Sequence, residues 1–309
     1  MRLVGVFGAN GFIGRHLVRA LIARGHKTVC FGRHFPLDFQ LEFDGLAEMR
    51  LIDLNDDIDT HTKIFGITHV VQLINSSNAS MGNKRVVEDI RSNIVPHVNF
   101  MNSCIMSDVR SFTFLSSGGT VYGRPMSIPV AEDHPTQPIS SYGLSKLVTE
   151  QYLQMLCRDT AMNFTILRVA NSYGPGQLGM GGQGLIGTIL QKFKQDEAVT
   201  IFGDGLSERD YLYIDDTVDA IVRSIEGEPS NDVINIGSGS GRSILAVLAS
   251  VEAAMGSPIA RHHVASRGTD VTSNVLDPAK AEQLLGWKPF TAFDDGVKQT
   301  VEWYLRQGT

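Results

Sequence analysis

The glycine-rich segment GANGFIG limits the fold of this chain more than any other feature. It follows the apolar run LVGVF and leads into IGRHLVRALIARG, whose apolar residues recur on one face of a helix. Gly8, Gly11 and Gly14 would allow a tight turn, a close approach of the backbone to a pyrophosphate, and close packing of helix on strand. The segment therefore predicts a strand, a turn and a helix whose N-terminus binds a dinucleotide.

Strand-like and helix-like segments alternate through the first half of the chain. The β-rich runs are LVGVF, KTVCF, MRLIDL, THVVQLI, SFTFLSS and NFTILRV. Strands separated by helices pair in parallel, so we expect an α/β fold with a doubly wound, Rossmann-like parallel sheet. After about residue 170 come the Gly- and Pro-rich loop NSYGPGQLGMGGQG and shorter strands. This change predicts a dinucleotide-binding domain over 1–170 and a smaller mixed α/β substrate lobe over 171–309, with segments that return to the first domain.

Charge and cysteine content narrow the class of protein. The net charge of −6 gives a nucleic-acid partner no electrostatic support. No apolar run approaches the roughly 20 residues that a membrane-spanning helix needs. Cys30, Cys104 and Cys157 are isolated, with neither a disulfide framework nor metal-ligand spacing. We therefore expect a cytoplasmic protein with no bound metal and no membrane or nucleic-acid partner.

The segment SSYGLSKLVTEQY contains a tyrosine and a lysine that can act together. Tyr142 and Lys146 are four residues apart and share one face of a predicted helix. A nearby ammonium stabilises phenolate and would move the phenol pKa from about 10 toward neutrality. Tyr142 would then be a general base or acid. The alternative is a solvated helix face, since this spacing alone is common.

The ends of the second and third strands bear on which cofactor binds. NAD-binding sites usually place an acidic residue at the second strand end, where it binds the ribose 2′-hydroxyl. This chain has Gly32 and Arg33 there, so NADP is also compatible with a site for which we expect NAD. Arg33 would otherwise stack on adenine or face solvent. Asp53 and Leu54, at the end of the third strand, are candidates to hold the adenine ring, the alternative being an ordinary strand end.

Taken together, these motifs resemble the extended short-chain dehydrogenase/reductases of the nucleotide-sugar epimerase/dehydratase group, closest in style to UDP-glucose 4-epimerases. The resemblance runs nearly end to end. Its motifs are GANGFIG, Asn93 in RSNIVPHVNFMNSC, SSGGTVYG, YGLSK, LRVANSYGPGQ, FGDGLSERDYLYIDD, NIGSG and RGTDVTSNVLDPAKAEQLLGWKP.

The resemblance implies roles by position. Lys146 would bind the nicotinamide ribose, and Val169 would lie near the nicotinamide. The other residues implied at the cofactor are Gly8, Asn10, Gly11, Phe12, Ile13, Gly14, Leu73, Ile74, Asn75, Asn93 and Ser116. Leu73, Ile74 and Asn75 stand where relatives usually have small alanines. The residues implied at the substrate are Asn171 and the arginines Arg209 and Arg267 at the diphosphate, with Asp270 at the nucleotide ribose. Arginine forks suit a diphosphate.

The stretch SSGGTVYG departs from the family at its catalytic hydroxyl. Gly118 stands where relatives usually have a serine or threonine. If the strand stays extended, Ser116, Gly118 and Thr120 point to one face, and Thr120 lies nearest the ligand-binding end. We therefore expect Thr120 to supply the missing hydroxyl, with Ser117 as the alternative if the glycines kink the strand. A bound water is the third alternative.

We expect the protein to catalyse C4 epimerisation of a nucleotide sugar, and three other functions are alternatives. A 4-keto-sugar reductase is the second interpretation, and Arg33 mildly favours it. A dehydratase would need the Asp-Glu pair that Gly119 and Thr120 replace, and a non-catalytic dinucleotide sensor would not need Tyr142 and Lys146. We also expect a homodimer, with an interface stripe of Val148, Tyr152, Met155 and Leu156, and a mobile lid in GQLGMGGQG.

Overall fold

A computed structural model describes residues 2–55, 60–77, 83, 85–177, 184–266 and 271–307. Its strands are β1 (Leu3–Phe7), β2 (Lys27–Gly32), β3 (Glu48–Leu51), β4 (His69–Gln72), β5 (Ser111–Ser117), β6 (Asn163–Val169), β7 (Asn171–Tyr173), β8 (Val199–Phe202), β9 (Glu208–Tyr213), β10 (Asp232–Ile236), β11 (Gly241–Ser243), β12 (Arg261–Val264) and β13 (Ser273–Asn274).

The helices lie between and after these strands. They are α1 (Phe12–Ala23), α2 (Leu37–Phe43), α3 (Thr60–Lys63), α4 (Val86–Asp89), a π-helical turn (Ile90–Ile94), α5 (Val95–Met106), α6 (Gly118–Val121), α7 (Ser141–Cys157), α8 (Leu185–Lys194), α9 (Ile214–Glu226), α10 (Ile244–Met255), α11 (Ala279–Leu285) and α12 (Phe293–Arg306). Among the described residues, no helix is both long enough and apolar enough to cross a membrane.

The central sheet confirms the predicted doubly wound architecture. Its seven strands are parallel and lie in the order β10-β6-β5-β4-β1-β2-β3. The order reverses between β1 and β4, because the chain winds from β1 to one edge and then to the other. Ligands of such sheets bind outside the carboxyl ends of the strands at this reversal. The topology thus places GANGFIG and the end of β5 close to this reversal, at the carboxyl ends of the strands.

Apolar periodicity explains how the helices cover the sheet. Leu17, Val18 and Leu21 of α1 are fully buried, as expected for an apolar stripe with a period near 3.6 residues. On the other face, Phe7 and Phe31 stack with their ring centroids 4.2 Å apart. Both faces are covered, which is why the strands are almost continuously apolar.

The second half of the chain forms the predicted smaller lobe of mixed structure. Strands β7, β9, β11 and β13 form one sheet with parallel and antiparallel pairs, and β8 pairs with β12. Strand β10 belongs instead to the central sheet, where it pairs with β6. The domain boundary near residue 170 stays a prediction.

The end of β5 differs from the sequence-based expectation. The strand ends at Ser117 and the chain turns into α6 at Gly118, so the expected extended run through Thr120 is wrong. A side chain does not fit at Gly118: a Cβ there would lie 2.4 Å from the Cδ1 atom of Leu276. The close approach of Leu276 therefore explains why glycine occupies this position.

Candidate active site

A cavity of about 640 Å³ lies at the carboxyl ends of β1, β4, β5 and β6. It brings together most of the residues predicted from sequence. Those lining it are Gly8, Gly11, Phe12, Ile13, Gly14, Leu73, Asn75, Ser116, Ser117, Thr120, Tyr142, Lys146, Val169, Asn171 and Arg209. The remaining predicted residues that the structure describes stand around this set and are treated below.

The glycine turn has the shape that a pyrophosphate requires. Gly8 adopts a left-handed φ of 87°, which a side chain would disfavour. A Cβ on Gly14 would lie 2.1 Å from the carbonyl oxygen of Gly8, so only glycine lets α1 pack this closely on the turn. Helix α1 begins after Gly11, which has no side chain to cap the first backbone N–H groups. Its N-terminus therefore offers these groups and the positive end of the helix dipole to the cavity.

The predicted adenine end lies beside the ends of β2 and β3. Asn10 donates from Nδ2 to the carbonyl oxygen of His34, 2.9 Å away, and so ties the glycine turn to the end of β2. Arg33 is exposed there. The backbone N–H of Asn55 first, and the charge of Arg33 more weakly, lower the pKa of Asp53. Leu54 is buried and packs in the apolar core.

The segment after β4 forms the floor of the cavity. Leu73 and Asn75 line it, and Ile74 packs on the core beneath. Asn75 donates to the carbonyl oxygen of Ser77 at 2.5 Å. Asn93 is buried, and its side chain accepts a 2.8 Å hydrogen bond from the backbone N–H of Ser76. This hydrogen bond helps to fix the backbone that follows β4.

Tyr142 and Lys146 both reach the cavity from α7, as their spacing predicts. The Lys146 ammonium nitrogen donates to the carbonyl oxygen of Leu115 at 2.8 Å and lies 4.7 Å from the ring centre of Phe114. Burial lowers the pKa of Lys146 to about 8, while the charge of Glu150 opposes this change. Lys146 thus lines the cavity while its ammonium group is hydrogen-bonded to the backbone of β5.

The expected depression of the Tyr142 pKa is wrong for this structure. Burial raises the pKa of the phenol, a hydrogen bond with the Ser117 side chain lowers it, and the negative charge of Asp89 raises it again. The physical reason is that burial disfavours phenolate and that the negative charge of Asp89 disfavours it further.

The structure also distinguishes the three candidate hydroxyls. Ser117 lines the cavity beside Tyr142, and its side chain lowers the pKa of the phenol. Thr120 lines the cavity from α6, but its hydroxyl donates back to the carbonyl oxygen of Ser117 at 3.4 Å. Ser116 is buried, and its hydroxyl donates to the carboxylate of Glu150 behind the strand. The kink at Gly118 thus corresponds to the alternative in which Ser117 takes part.

The predicted substrate residues lie at the opposite wall. Asn171 donates to the carbonyl oxygen of Asp210 at 2.8 Å. Arg209 donates to the carbonyl oxygens of Glu208 and Val271, each at 2.7 Å, so its guanidinium is held beside the cavity. Arg267, Asp270 and most of the predicted lid, residues 178–183, lie outside the described residues.

Several residues that order this site were not anticipated from the sequence. The carboxylate of Glu150 is fully buried and forms a 2.7 Å ion pair with Arg168. It also accepts a hydrogen bond from the Ser116 hydroxyl. Arg168 in turn donates to the Tyr122 hydroxyl at 2.9 Å. Asp89 lies under the first turn of α7. Glu150 is one helical turn beyond Lys146, a spacing that could have indicated it.

Comparisons with known proteins agree with this geometry. A model of the NAD dependent epimerase/dehydratase family matches residues 4–237. A putative UDP-glucose 4-epimerase from Methanocaldococcus jannaschii is 31% identical, over 96% of this chain and 97% of that protein. The dTDP-4-dehydro-6-deoxyglucose reductase of Escherichia coli is 30% identical, over 96% of each chain. The solved structure of UDP-glucose 4-epimerase from Thermotoga maritima with UDP-glucose superimposes with a TM-score of 0.92 at 29% identity, over 100% of both chains.

Proposed function

The chain belongs to the NAD dependent epimerase/dehydratase family, and from this premise we propose that it inverts C4 of a nucleotide sugar, with UDP-sugars as the substrate class. One observation carries the proposal. Tyr142, Ser117 and Lys146 line the same cavity as the glycine turn, and Lys146 is one helical turn from Tyr142. A proton-transfer group thus stands beside a dinucleotide site.

The residues present fit the cofactor that the family uses. The glycine turn and the N-terminus of α1 would hold the pyrophosphate of NAD, and Lys146 would bind its nicotinamide ribose. When bound, NAD supplies an acceptor for the hydride of C4 and a donor for its return. Arg33 would lie at the adenosine ribose, where NADP carries its extra phosphate, and a contribution of Arg33 to NADP binding stays a prediction.

Tyr142 would move the proton at the sugar 4-oxygen. Its phenolate removes the proton from the 4-hydroxyl as C4 is oxidised, and its phenol returns a proton when the ketone is reduced on the other face. Ser117 would donate to the same oxygen and orient it toward Tyr142. Arg209, with Arg267 and Asp270, would hold the nucleotide while the keto sugar turns over.

A 4-keto-sugar reductase is the second candidate. The 30% identity to the Escherichia coli reductase favours it, because that protein and the epimerases match almost the whole chain equally well. Both reactions place a proton on a C4 oxygen, so the site residues alone suit either one. They differ in whether the cofactor is consumed.

Cofactor balance therefore tests the proposal. Freshly purified protein is incubated with UDP-glucose or UDP-galactose and no added cofactor. Interconversion of the two sugars supports an epimerase with retained NAD. A requirement for stoichiometric NADH or NADPH and a 4-keto sugar would identify the reductase instead. A cytoplasmic location stays a prediction.

A further inference from the structure

A buried carboxylate lies under the first turn of the helix that carries Tyr142. Asp89, the last residue of α4, is 6% exposed. Its Oδ2 atom accepts hydrogen bonds from the hydroxyls of Ser141, at 2.8 Å, and Ser145. These two serines lie immediately before Tyr142 and three residues after it, on either side of its position in α7. The carboxylate thus holds the turn from which the phenol projects.

The other oxygen of Asp89 is also satisfied. Its Oδ1 atom accepts a hydrogen bond of 2.8 Å from the side-chain amide of Asn93. Burial raises the pKa of Asp89, but these hydrogen bonds outweigh it and lower the pKa overall. These hydrogen bonds favour the ionised carboxylate, and its partners Asn93, Ser141 and Ser145 are neutral groups.

We propose that Asp89 is a positioning residue for Tyr142: its carboxylate fixes the first turn of α7 and holds a permanent negative charge beside the phenol. This role rests on the proposed function of Tyr142 as the proton-transfer group. Burial disfavours phenolate most, and the charge of Asp89 adds to this effect, so both favour the protonated form of Tyr142. A protonated phenol is the form needed to return a proton to the 4-oxygen of a keto sugar.

Among the residues that the structure describes, no charged group of the elements packed against α7 forms an ion pair with Asp89. Helix α7 packs against α4, the π-helical turn, α5, α6, β5 and β6. Glu88 and Arg91, on α4 and the π-helical turn, are exposed, and Arg168 of β6 is paired with Glu150. The other titratable side chains described in this region are exposed Arg85 at the start of α4, His97 on α5, which burial keeps neutral with a pKa of about 4, and Lys146 on α7 itself.

The test is a direct titration of the Tyr142 phenol, without substrate. The seven tyrosines are labelled with ¹³C at Cζ, and the Tyr142→Phe variant assigns the signal by NMR. We expect Asp89→Asn to lower the pKa of Tyr142 by about half a pH unit or more, which is about a threefold larger ionised fraction below the midpoint. Glu88→Gln, which removes an exposed charge from the neighbouring position, is the matched control and should leave the pKa unchanged.

An unchanged or raised Tyr142 pKa in folded Asp89→Asn, or an equal shift in Glu88→Gln, would overturn the proposal. Asp89→Ser removes the same charge with a smaller side chain and should shift the pKa in the same direction. If neither variant folds, the wild-type titration still decides, since a Tyr142 pKa below about 10 in the cofactor-free protein contradicts the role of Asp89. The titration requires no turnover, so a reductase activity would refute the epimerase proposal and leave this one standing.

Discussion

Ser117, the last residue of β5, lines the same cavity as Tyr142 of α7, and its side chain lowers the pKa of the Tyr142 phenol. Ser117 is next to Gly118, the position at which relatives usually have their catalytic hydroxyl. The chain turns into α6 at Gly118, directly after Ser117. We propose that Ser117 supplies the hydroxyl shared by Tyr142 and the sugar 4-oxygen.

Replacement of Ser117 should lower turnover more than replacement of Thr120. We expect Ser117→Ala to reduce kcat by about 10- to 1,000-fold, because it removes the hydroxyl proposed to donate to the 4-oxygen. Thr120→Val, in which the lost hydroxyl donates only to the Ser117 carbonyl oxygen, is the matched control. Steady-state kinetics with checked cofactor occupancy measure both. Near-normal turnover in Ser117→Ala, with a large loss in Thr120→Val, would restore Thr120 to the role expected from sequence.

Restoring a serine at position 118 should destabilise the protein. The Cβ of Gly118→Ser would lie 2.4 Å from Leu276 Cδ1 and 3.1 Å from the Arg168 carbonyl oxygen, so neighbouring core atoms must move. We expect the free energy of unfolding to fall by about 1–3 kcal/mol. Chemical denaturation measures this loss. The double variant Gly118→Ser with Leu276→Ala should lose less than the sum of the two single changes, because truncation of Leu276 relieves the overlap. Strict additivity would show that the contact is not the cause.

The central sheet could be predicted from the sequence because its strands and α1 carry local signals. The run LVGVF, the glycines of the turn and the stripe of Leu17, Val18 and Leu21 are each read within a few residues. The end of β5 could not be predicted in this way, because Gly118 and Leu276, which approach each other there, are 158 positions apart in the sequence. The same holds for Ser116, whose partner Glu150 is on another element. Long-range packing decides which way these side chains face.

Arg209 should contribute to binding of the nucleotide and little to the chemical step. Arg209→Ala removes charge-assisted hydrogen bonds to a diphosphate, each worth roughly 1.5–3 kcal/mol, so UDP should bind about 10- to 150-fold more weakly. Calorimetric titration with UDP measures the change. Arg110→Ala is the control, because Arg110 immediately precedes β5 and lies at the edge of the sheet away from the cavity. Equal affinity of Arg209→Ala and the wild type would contradict the assignment.

The exposed apolar residues of α4, α5 and α7 support the expected homodimer. Tyr152 and Met155 of the predicted stripe are 38% and 52% exposed, whereas Val148 and Leu156 are partly buried. Exposed apolar side chains on the neighbouring segments α4 to α5 include Val87, Ile90 and Val95. We infer that this surface packs against a second copy.

Light scattering tests this surface. The wild type should have twice the chain mass of 33.8 kDa at micromolar concentration, and the double variant Tyr152→Glu with Met155→Glu should be monomeric. Phe65→Glu changes a side chain that is 80% exposed and not on this surface, and it should leave the mass unchanged. A wild-type protein that scatters as a single 33.8 kDa chain would reject the dimer.

The path of the C4 hydrogen tests the central claim most directly. The protein is given UDP-glucose with deuterium at C4 in ordinary water, and the UDP-galactose product is examined by mass spectrometry. We predict that deuterium remains at C4, because the hydride leaves and returns without exchange with solvent, and that Tyr142→Phe slows this conversion by about 100- to 10,000-fold. Loss of the deuterium, absence of any product, or a Tyr142→Phe variant with more than about a tenth of wild-type turnover would contradict the account.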